Sequence, residues 1–211
     1  MKKKLFALQT AGTAATLAAV YLVLLVPDST TGYLLLSLLL MYATVFLLSF
    51  TLAAVAGALV GQASLPVGHQ RAAGWRDLLR LGWRGWGRAA AVLLVAAGLL
   101  YGIHRLGWLR LPVWALISLL ALLAIPAAVR GGASAAGGPN DRLGTRIART
   151  LAYAAVAIAL GFAAWKILST PAEMSRPWLE VGYLGARAVI SFLVANLACV
   201  LLLAAGARSH L

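Results

Sequence analysis

The 211-residue chain is poor in acid, in cysteine and in charge of any kind. Asp and Glu together number 5, charged residues make up 11% of the sequence, and Cys199 is the single cysteine. Each scarcity excludes something. One cysteine can neither close an intrachain disulfide nor build a multi-cysteine metal centre. Asp28, Asp77, Asp141, Glu173 and Glu180 all stand outside the middle of the long apolar runs. Proton-coupled or acid–base chemistry inside a membrane therefore lacks its carboxylate. His69, His104 and His210 fall in polar segments or at the tail, too scattered to ligate a metal or a haem, and no cofactor is expected. Lysines stand at 2, 3, 4 and 166, none of them in a Gly-x4-Gly-Lys phosphate loop, and there is no Gly-x-Ser-x-Gly elbow. Gly85-Trp86-Gly87-Arg88-Ala89-Ala90 imitates a dinucleotide-binding glycine pattern, but no strand precedes it, so it reads as a helix entry. No enzyme is expected.

What is abundant is hydrocarbon. The chain is 63% hydrophobic, whereas soluble domains are nearer half apolar and a quarter charged. A bilayer core about 30 Å thick takes about 20 apolar residues as a helix. Six stretches meet or approach that length: 5–26, 33–60, 88–103, 108–129, 148–168 and 181–206. The expected fold is all-α, a polytopic membrane protein in which residues 1–211 form a single domain of six transmembrane helices. The first run follows Lys2, Lys3 and Lys4 in the manner of a signal peptide. It is too long for a typical secretory core, and Val26-Pro27-Asp28-Ser29-Thr30 offers no small-x-small cleavage site, so it reads as a retained anchor. The third run is the shortest and needs the turns before it. His104-Arg105-Leu106-Gly107 reads as a tight hairpin between the third and fourth runs. Unbroken runs exclude the ten-residue alternation of barrel strands.

The formal net charge of +13 orients these crossings. With the N-terminus inside, the cytoplasmic side receives Lys2, Lys3, Lys4, Arg71, Arg76, Arg80, Arg84, Arg88, Arg130, Arg142, Arg146, Arg149 and Arg208. The other side keeps Arg105, Arg110, Lys166, Arg176 and Arg187. The positive-inside rule then places both termini in the cytoplasm, N-in and C-in, in a cell (inner) membrane. The aromatics form two belts in this arrangement. Trp75, Trp83, Trp86 and Tyr153 fall near the inner interface, while Tyr21, Tyr33, Tyr101, Trp108, Trp114, Trp165, Trp178 and Tyr183 fall near the outer one. The charge is read as a membrane signal, with no nucleic-acid partner.

Between the second and third runs, Arg76, Arg80, Arg84 and Arg88 recur every four residues. Trp75, Leu78, Leu79 and Trp86 take the opposite face, with Trp83 at the border. This pattern predicts a basic amphipathic helix lying in the interface, its arginines among anionic phospholipid headgroups. The lipid-binding candidates are these four arginines with Trp75, Trp83 and Trp86. Residues 130–142 read as a flexible Gly/Ala-rich connection. Thr170-Pro171-Ala172-Glu173 has a capping-box pattern that predicts a short surface helix.

Arg187 is the charge deepest in a run, about seven residues into the sixth, or about 10 Å at 1.5 Å per residue. Either its stem carries the guanidinium outward toward Glu180, seven residues earlier on the same face, or it contacts a substrate or partner. With Glu180 and Ser191 it forms a candidate intramembrane polar site. Lys166, near the outer end of the fifth run, is expected to reach the interface. Gln9 and Asn196 are expected to bond between helices, with ligand contact the lesser alternative, whereas Ser and Thr hydroxyls can bond their own helix backbone.

Small residues recur at helical spacing: Ala11, Ala15 and Ala19; Gly57 and Gly61; Gly98 and Gly102; Ala155, Ala159 and Ala163. Such stripes let helices approach closely, within the chain or against another membrane subunit or a second copy. The Ala-x3-Ala stripe in the first helix of a six-helix chain resembles the docking stripe of substrate-binding S-components of energy-coupling-factor transporters. That resemblance covers one helix, implies docking on a membrane partner and carries over no binding residue. The residues thus leave two functional expectations. One is a non-enzymatic accessory or scaffold subunit packed on a membrane partner and anionic lipid. The other is a small-molecule transporter component, a substrate binder or permease subunit, with a polar outer-half site near Arg187.

Overall fold

The computed structural model describes residues 2–27, 31–63, 74–103, 110–130, 143–170 and 177–209. Its regular structure there is helical: α1 (Lys2–Leu25), α2 (Thr31–Ala63), α3 (Trp75–Gly102), α4 (Arg110–Arg130), α5 (Leu143–Ser169) and α6 (Pro177–Ser209). All 6 are long and apolar enough to cross a membrane. In hydrocarbon a backbone must satisfy its own hydrogen bonds, which these unbroken runs do as helices. The hairpin at 104–107, residues 131–142, the surface helix expected over 171–173 and the three histidines fall outside the described residues.

One element differs from the sequence expectation. The basic segment and the third apolar run form a single helix of 28 residues, α3, with no break between them. At 1.5 Å per residue it is about 42 Å long, about 12 Å more than a bilayer core. The turn that carries Arg84 supplies the length that the short run 88–103 lacks, and the turns with Arg76 and Arg80 are the excess. The helix starts at Gly74, whose N–H donates to Asp77 Oδ2 at 3.0 Å, and the Asp77 carboxylate suits the positive end of the helix dipole.

Helices successive in the chain alternate in direction. Leu5 packs with Ala58 and Leu78, so the start of α1, the end of α2 and the start of α3 meet at one end of the bundle. Arg88 Nη1 donates to the carbonyl of Val129 near the end of α4, at 3.3 Å. Gln9 meets Cys199 and Thr13 meets Asn196, which sets α6 antiparallel to α1. The start of α1 and the end of α6 thus lie at the same end as Arg76, Arg80, Arg84 and Arg130.

The core is concentrated toward that end. Every residue of α2 from Thr51 to Ala58 is buried, and Leu52, Ala53, Val55 and Ala56 pack against Ala89, Ile125 and Leu203. α2 touches α1, α3, α4 and α6, while α6 touches α1, α2, α4 and α5. Glycines permit this density. A Cβ on Gly82 would stand 2.8 Å from Phe50 Cζ, and one on Gly85 would stand 3.0 Å from Val129 Cγ1. Gly206 packs directly on the Leu123 carbonyl. At the far end α2 is uncovered: Leu34, Leu35, Leu36, Leu38, Leu39, Met41 and Tyr42 are all exposed. In water such a surface would be an association liability, and in a bilayer it is an ordinary lipid face.

The contrast between two glycines gives a test. Gly206→Ala must displace backbone and is expected to destabilise the protein by about 1–3 kcal/mol. Gly98→Ala meets nothing within 4 Å and should leave stability unchanged or raise it by up to about 1 kcal/mol through helix propensity. Thermal unfolding of both variants in detergent should separate them. Equal midpoints would contradict the close approach of α4 and α6.

Candidate functional site

Polar side chains inside the bundle gather at two places. The first is the contact of α1 with α6. Gln9 is only 2% exposed, as is usual for apolar core residues and rare for glutamine. Its Nε2 donates to Thr13 Oγ1 at 3.2 Å and to Cys199 Sγ at 3.5 Å. The single Thr13 hydroxyl proton has two acceptors at 2.8 Å, Asn196 Oδ1 across the helix contact and the carbonyl of Gln9 one turn back. Asn196 Nδ2 donates to Phe192 O at 2.9 Å. Gln9 and Asn196 thus join α1 to α6 through Thr13, while Gln9 Oε1 is buried with no hydrogen-bond partner. Thr10, Thr16, Thr44, Ser49 and Thr51 bond carbonyls of their own helices.

This cluster forms one wall of a cavity of about 510 Å³. Gln9, Thr13, Asn196 and Cys199 line the polar side. Leu48 and Leu52 of α2, Leu93 and Leu100 of α3, Leu122 of α4 and Phe192 of α6 supply much of the rest. The mouth is marked by exposed lining residues, Leu94, Ala97, Ser118 and Ala195. A second cavity of about 440 Å³ lies between α3 and α4, lined by residues that include Val95, Leu99, Ile117 and Leu120. The sequence places Gln9 and Thr13 on one face of a helix, but the hollow beside them depends on how five helices meet.

The second polar place is the end of α5. A helix leaves its last carbonyls without intrahelical donors, and a cation there is favoured by the dipole. The Lys166 carbonyl accepts from Thr170 N–H at 3.2 Å and Thr170 Oγ1 at 2.7 Å. The Ile167 carbonyl accepts from Arg187 Nε at 2.6 Å and also from Arg187 Nη2. One turn further along α6, Ser191 Oγ donates to Ala164 O at 3.0 Å. The Arg187 guanidinium lies 5.3 Å from the centre of the Tyr183 ring, and its Nη1 has no hydrogen-bond partner. Arg187 is 5% exposed and lines neither of these two cavities. Its depth has a local cause, because it ties α6 to the end of α5. Ser191 shares that task. Among the described residues Glu180 makes no ion pair with Arg187. The Lys166 side chain is exposed.

The basic half of α3 has three faces rather than two. Leu78, Gly82, Gly85 and Ala89 are buried in the bundle. Trp75, Leu79 and Trp83 are exposed on a neighbouring stripe, with Trp86 partly covered. Phe46 of α2 stands edge-on to Trp83 and Trp86, with ring centres 6.2 and 5.3 Å apart. Arg76, Arg80, Arg84 and Arg88 are exposed on the third stripe. The apolar residues expected to enter lipid together are therefore divided, Leu78 into the core and Trp75, Leu79 and Trp83 outward.

The small-residue stripes are divided as well. Ala19 and Gly57 are buried, with a Gly57 Cβ position 3.3 Å from Leu81 Cβ, while Ala11 and Ala15 face outward. Gly61, Gly98 and Gly102 are exposed, and a Cβ on any of them would meet nothing within 4 Å. On α5, Ala155 and Ala159 are exposed and Ala163 is half-buried. The α6 contact instead uses Ala154, Ala157 and Ala164. Among the described residues no cluster of three His, Cys, Asp or Glu side chains could hold a metal. No protein-family model, no curated protein and no solved structure matches the chain.

Removing the Arg187 head group tests its capping role. Arg187→Met should cost about 1.5–3 kcal/mol, the range for hydrogen bonds to a charged group, with Arg187→Lys falling between it and the parent. Unfolding in detergent measures this. A methionine variant as stable as the parent would show that the contact with Ile167 contributes nothing.

Proposed function

We propose that this multi-pass membrane protein is a non-enzymatic accessory or scaffold subunit of an inner membrane, with both termini cytoplasmic. It packs against a membrane partner, another protein or a second copy, and holds anionic phospholipid at its basic end. One observation carries the lipid contact. Exposed Lys3, Lys4, Arg76, Arg80, Arg84 and Arg88 gather at one end of the bundle, and exposed Trp75, Leu79 and Trp83 run beside the arginine stripe. Guanidinium groups attract phosphate headgroups, while indole rings prefer headgroup depth. The same charge bias orients the chain, since the basic end belongs on the cytoplasmic face. The partner contact rests on faces with no covering helix: the Leu-rich start of α2, Ala11 and Ala15 on α1, and Ala155 and Ala159 on α5. Small outward residues allow another helix to come close.

A transporter component with a polar site near Arg187 is the weaker reading. That guanidinium is engaged by the Ile167 carbonyl and lines neither cavity.

Each arginine near an anionic surface contributes about 1 kcal/mol. The variant carrying Arg76→Gln, Arg80→Gln and Arg84→Gln should therefore bind phosphatidylglycerol about a hundredfold more weakly, by native mass spectrometry of the detergent-solubilised protein. The difference should shrink in high salt. Equal retention of phosphatidylglycerol by parent and variant would rule out the lipid contact.

A further inference from the structure

The cavity between α1, α2, α3, α4 and α6 is more than a packing gap. We infer that it binds a membrane-soluble alcohol, an uncharged hydrocarbon carrying a hydroxyl, with the hydroxyl hydrogen-bonded to Gln9.

Three observations converge. The first is the orphaned acceptor. Gln9 is 98% removed from solvent and lines the cavity, yet its Oε1 has no partner. A buried polar atom left in that state costs free energy, and its neighbours cannot relieve it. The Thr13 proton is directed to Asn196 Oδ1 or the Gln9 carbonyl, and Asn196 Nδ2 is directed to Phe192 O. The remaining neighbour, Cys199, is a weak thiol donor that already accepts from Gln9 Nε2, so a hydroxyl in the cavity offers the stronger donor once the Gln9 carboxamide turns toward it. The second is the absence of charge: none of the residues that line the cavity is Asp, Glu, Lys, Arg or His. A carboxylate, phosphate or ammonium would enter that hydrocarbon without a counter-charge, whereas a hydroxyl enters at little cost once bonded. The third is shape and access. A volume of about 510 Å³ lies within the usual range for ligand sites, and Gln9, Thr13, Asn196 and Cys199 of α1 and α6 supply most of its polar groups, with Ser118 of α4 at the mouth and the rest of the lining apolar. A molecule with one polar end and one hydrocarbon body matches that division. The exposed lining residues Leu94, Ala97 and Ser118 belong to membrane-spanning helices, so the ligand enters sideways from the bilayer.

The inference is independent of the lipid contact at the basic end, which involves none of these residues. Its test uses the full chain in phosphatidylcholine nanodiscs and three diazirine photoprobes of equal chain length: dodecan-1-ol, dodecane and dodecanoic acid. Crosslinked peptides are then located by mass spectrometry. The expected result is saturable labelling of the cavity walls around Leu93, Leu122 and Phe192 by the alcohol. Its apparent affinity should be at least about tenfold above that of the alkane or the acid, as the loss of one buried hydrogen bond implies. Unlabelled dodecan-1-ol should compete. Gln9→Met, close in volume, should bring the alcohol down to the alkane. Ala97→Phe, an exposed position at the mouth, should suppress labelling by both. Equal affinity for alcohol and alkane in the parent protein would make the cavity a niche for any lipid tail and overturn the assignment. So would a preference for the acid, or labelling that does not saturate. The parent comparison stands even if the Gln9 variant does not fold.

Discussion

The structure depends on how closely α2 can be approached between Thr51 and Ala58. Lipid tails are as apolar as leucine, so burying apolar surface between helices gains little in a bilayer. Cohesion comes instead from dispersion between atoms brought within contact distance. Ala53, Ala54, Ala56, Gly57 and Ala58 keep that stretch slim, and Gly12, Gly82 and Gly85 remove side chains from the helices facing it. Four neighbours, α1, α3, α4 and α6, can then close on the same eight residues. Toward the other end α2 carries leucines and aromatics, which hold neighbours apart and face outward. The bundle is therefore dense where it is basic and open where it is leucine-rich, and the larger cavity lies against α2 at Val45, Leu48 and Leu52, where the two regimes meet.

Polar groups join this frame as ties between helices. Gln9, Thr13 and Asn196 connect α1 to α6, and Arg187 and Ser191 connect α6 to the last turn of α5. The second tie follows from helix chemistry, since Ile167 offers a carbonyl that its own helix leaves without a donor. Arg187 supplies donors and positive charge at the end of the dipole where both are favoured. The tie between the two helices accounts for a charge so deep in the run.

Much of the architecture was legible in the residues. Apolar runs of membrane-spanning length identify six helices. The division of labour within α3 was not legible. The four-residue spacing of Arg76, Arg80, Arg84 and Arg88 defines one face correctly, but Leu78 and Leu79 look alike in sequence, and only the position of α2 sends one inward and the other outward. The alanine stripes misled for a related reason. In helices so rich in alanine nearly every face carries a small residue at helical spacing, so α5 can pack through Ala154, Ala157 and Ala164 instead of Ala155, Ala159 and Ala163. Spacing identifies faces able to pack, and neighbours choose among them.

Composition and spacing specify the apolar solvent, the helices and the bias of charge toward one end. Those properties depend on composition and on spacing within a segment, where the 1.5 Å rise and the hydrocarbon thickness set the rules. The tertiary structure alone decided that the basic segment continues into a crossing, that Arg187 meets the Ile167 carbonyl, and that Gln9 borders a cavity with an acceptor left over. Each of these is a relation between helices distant in the chain. A buried donor or acceptor is satisfied or orphaned by what packing brings within about 3 Å of it, and no periodicity along one helix carries that information.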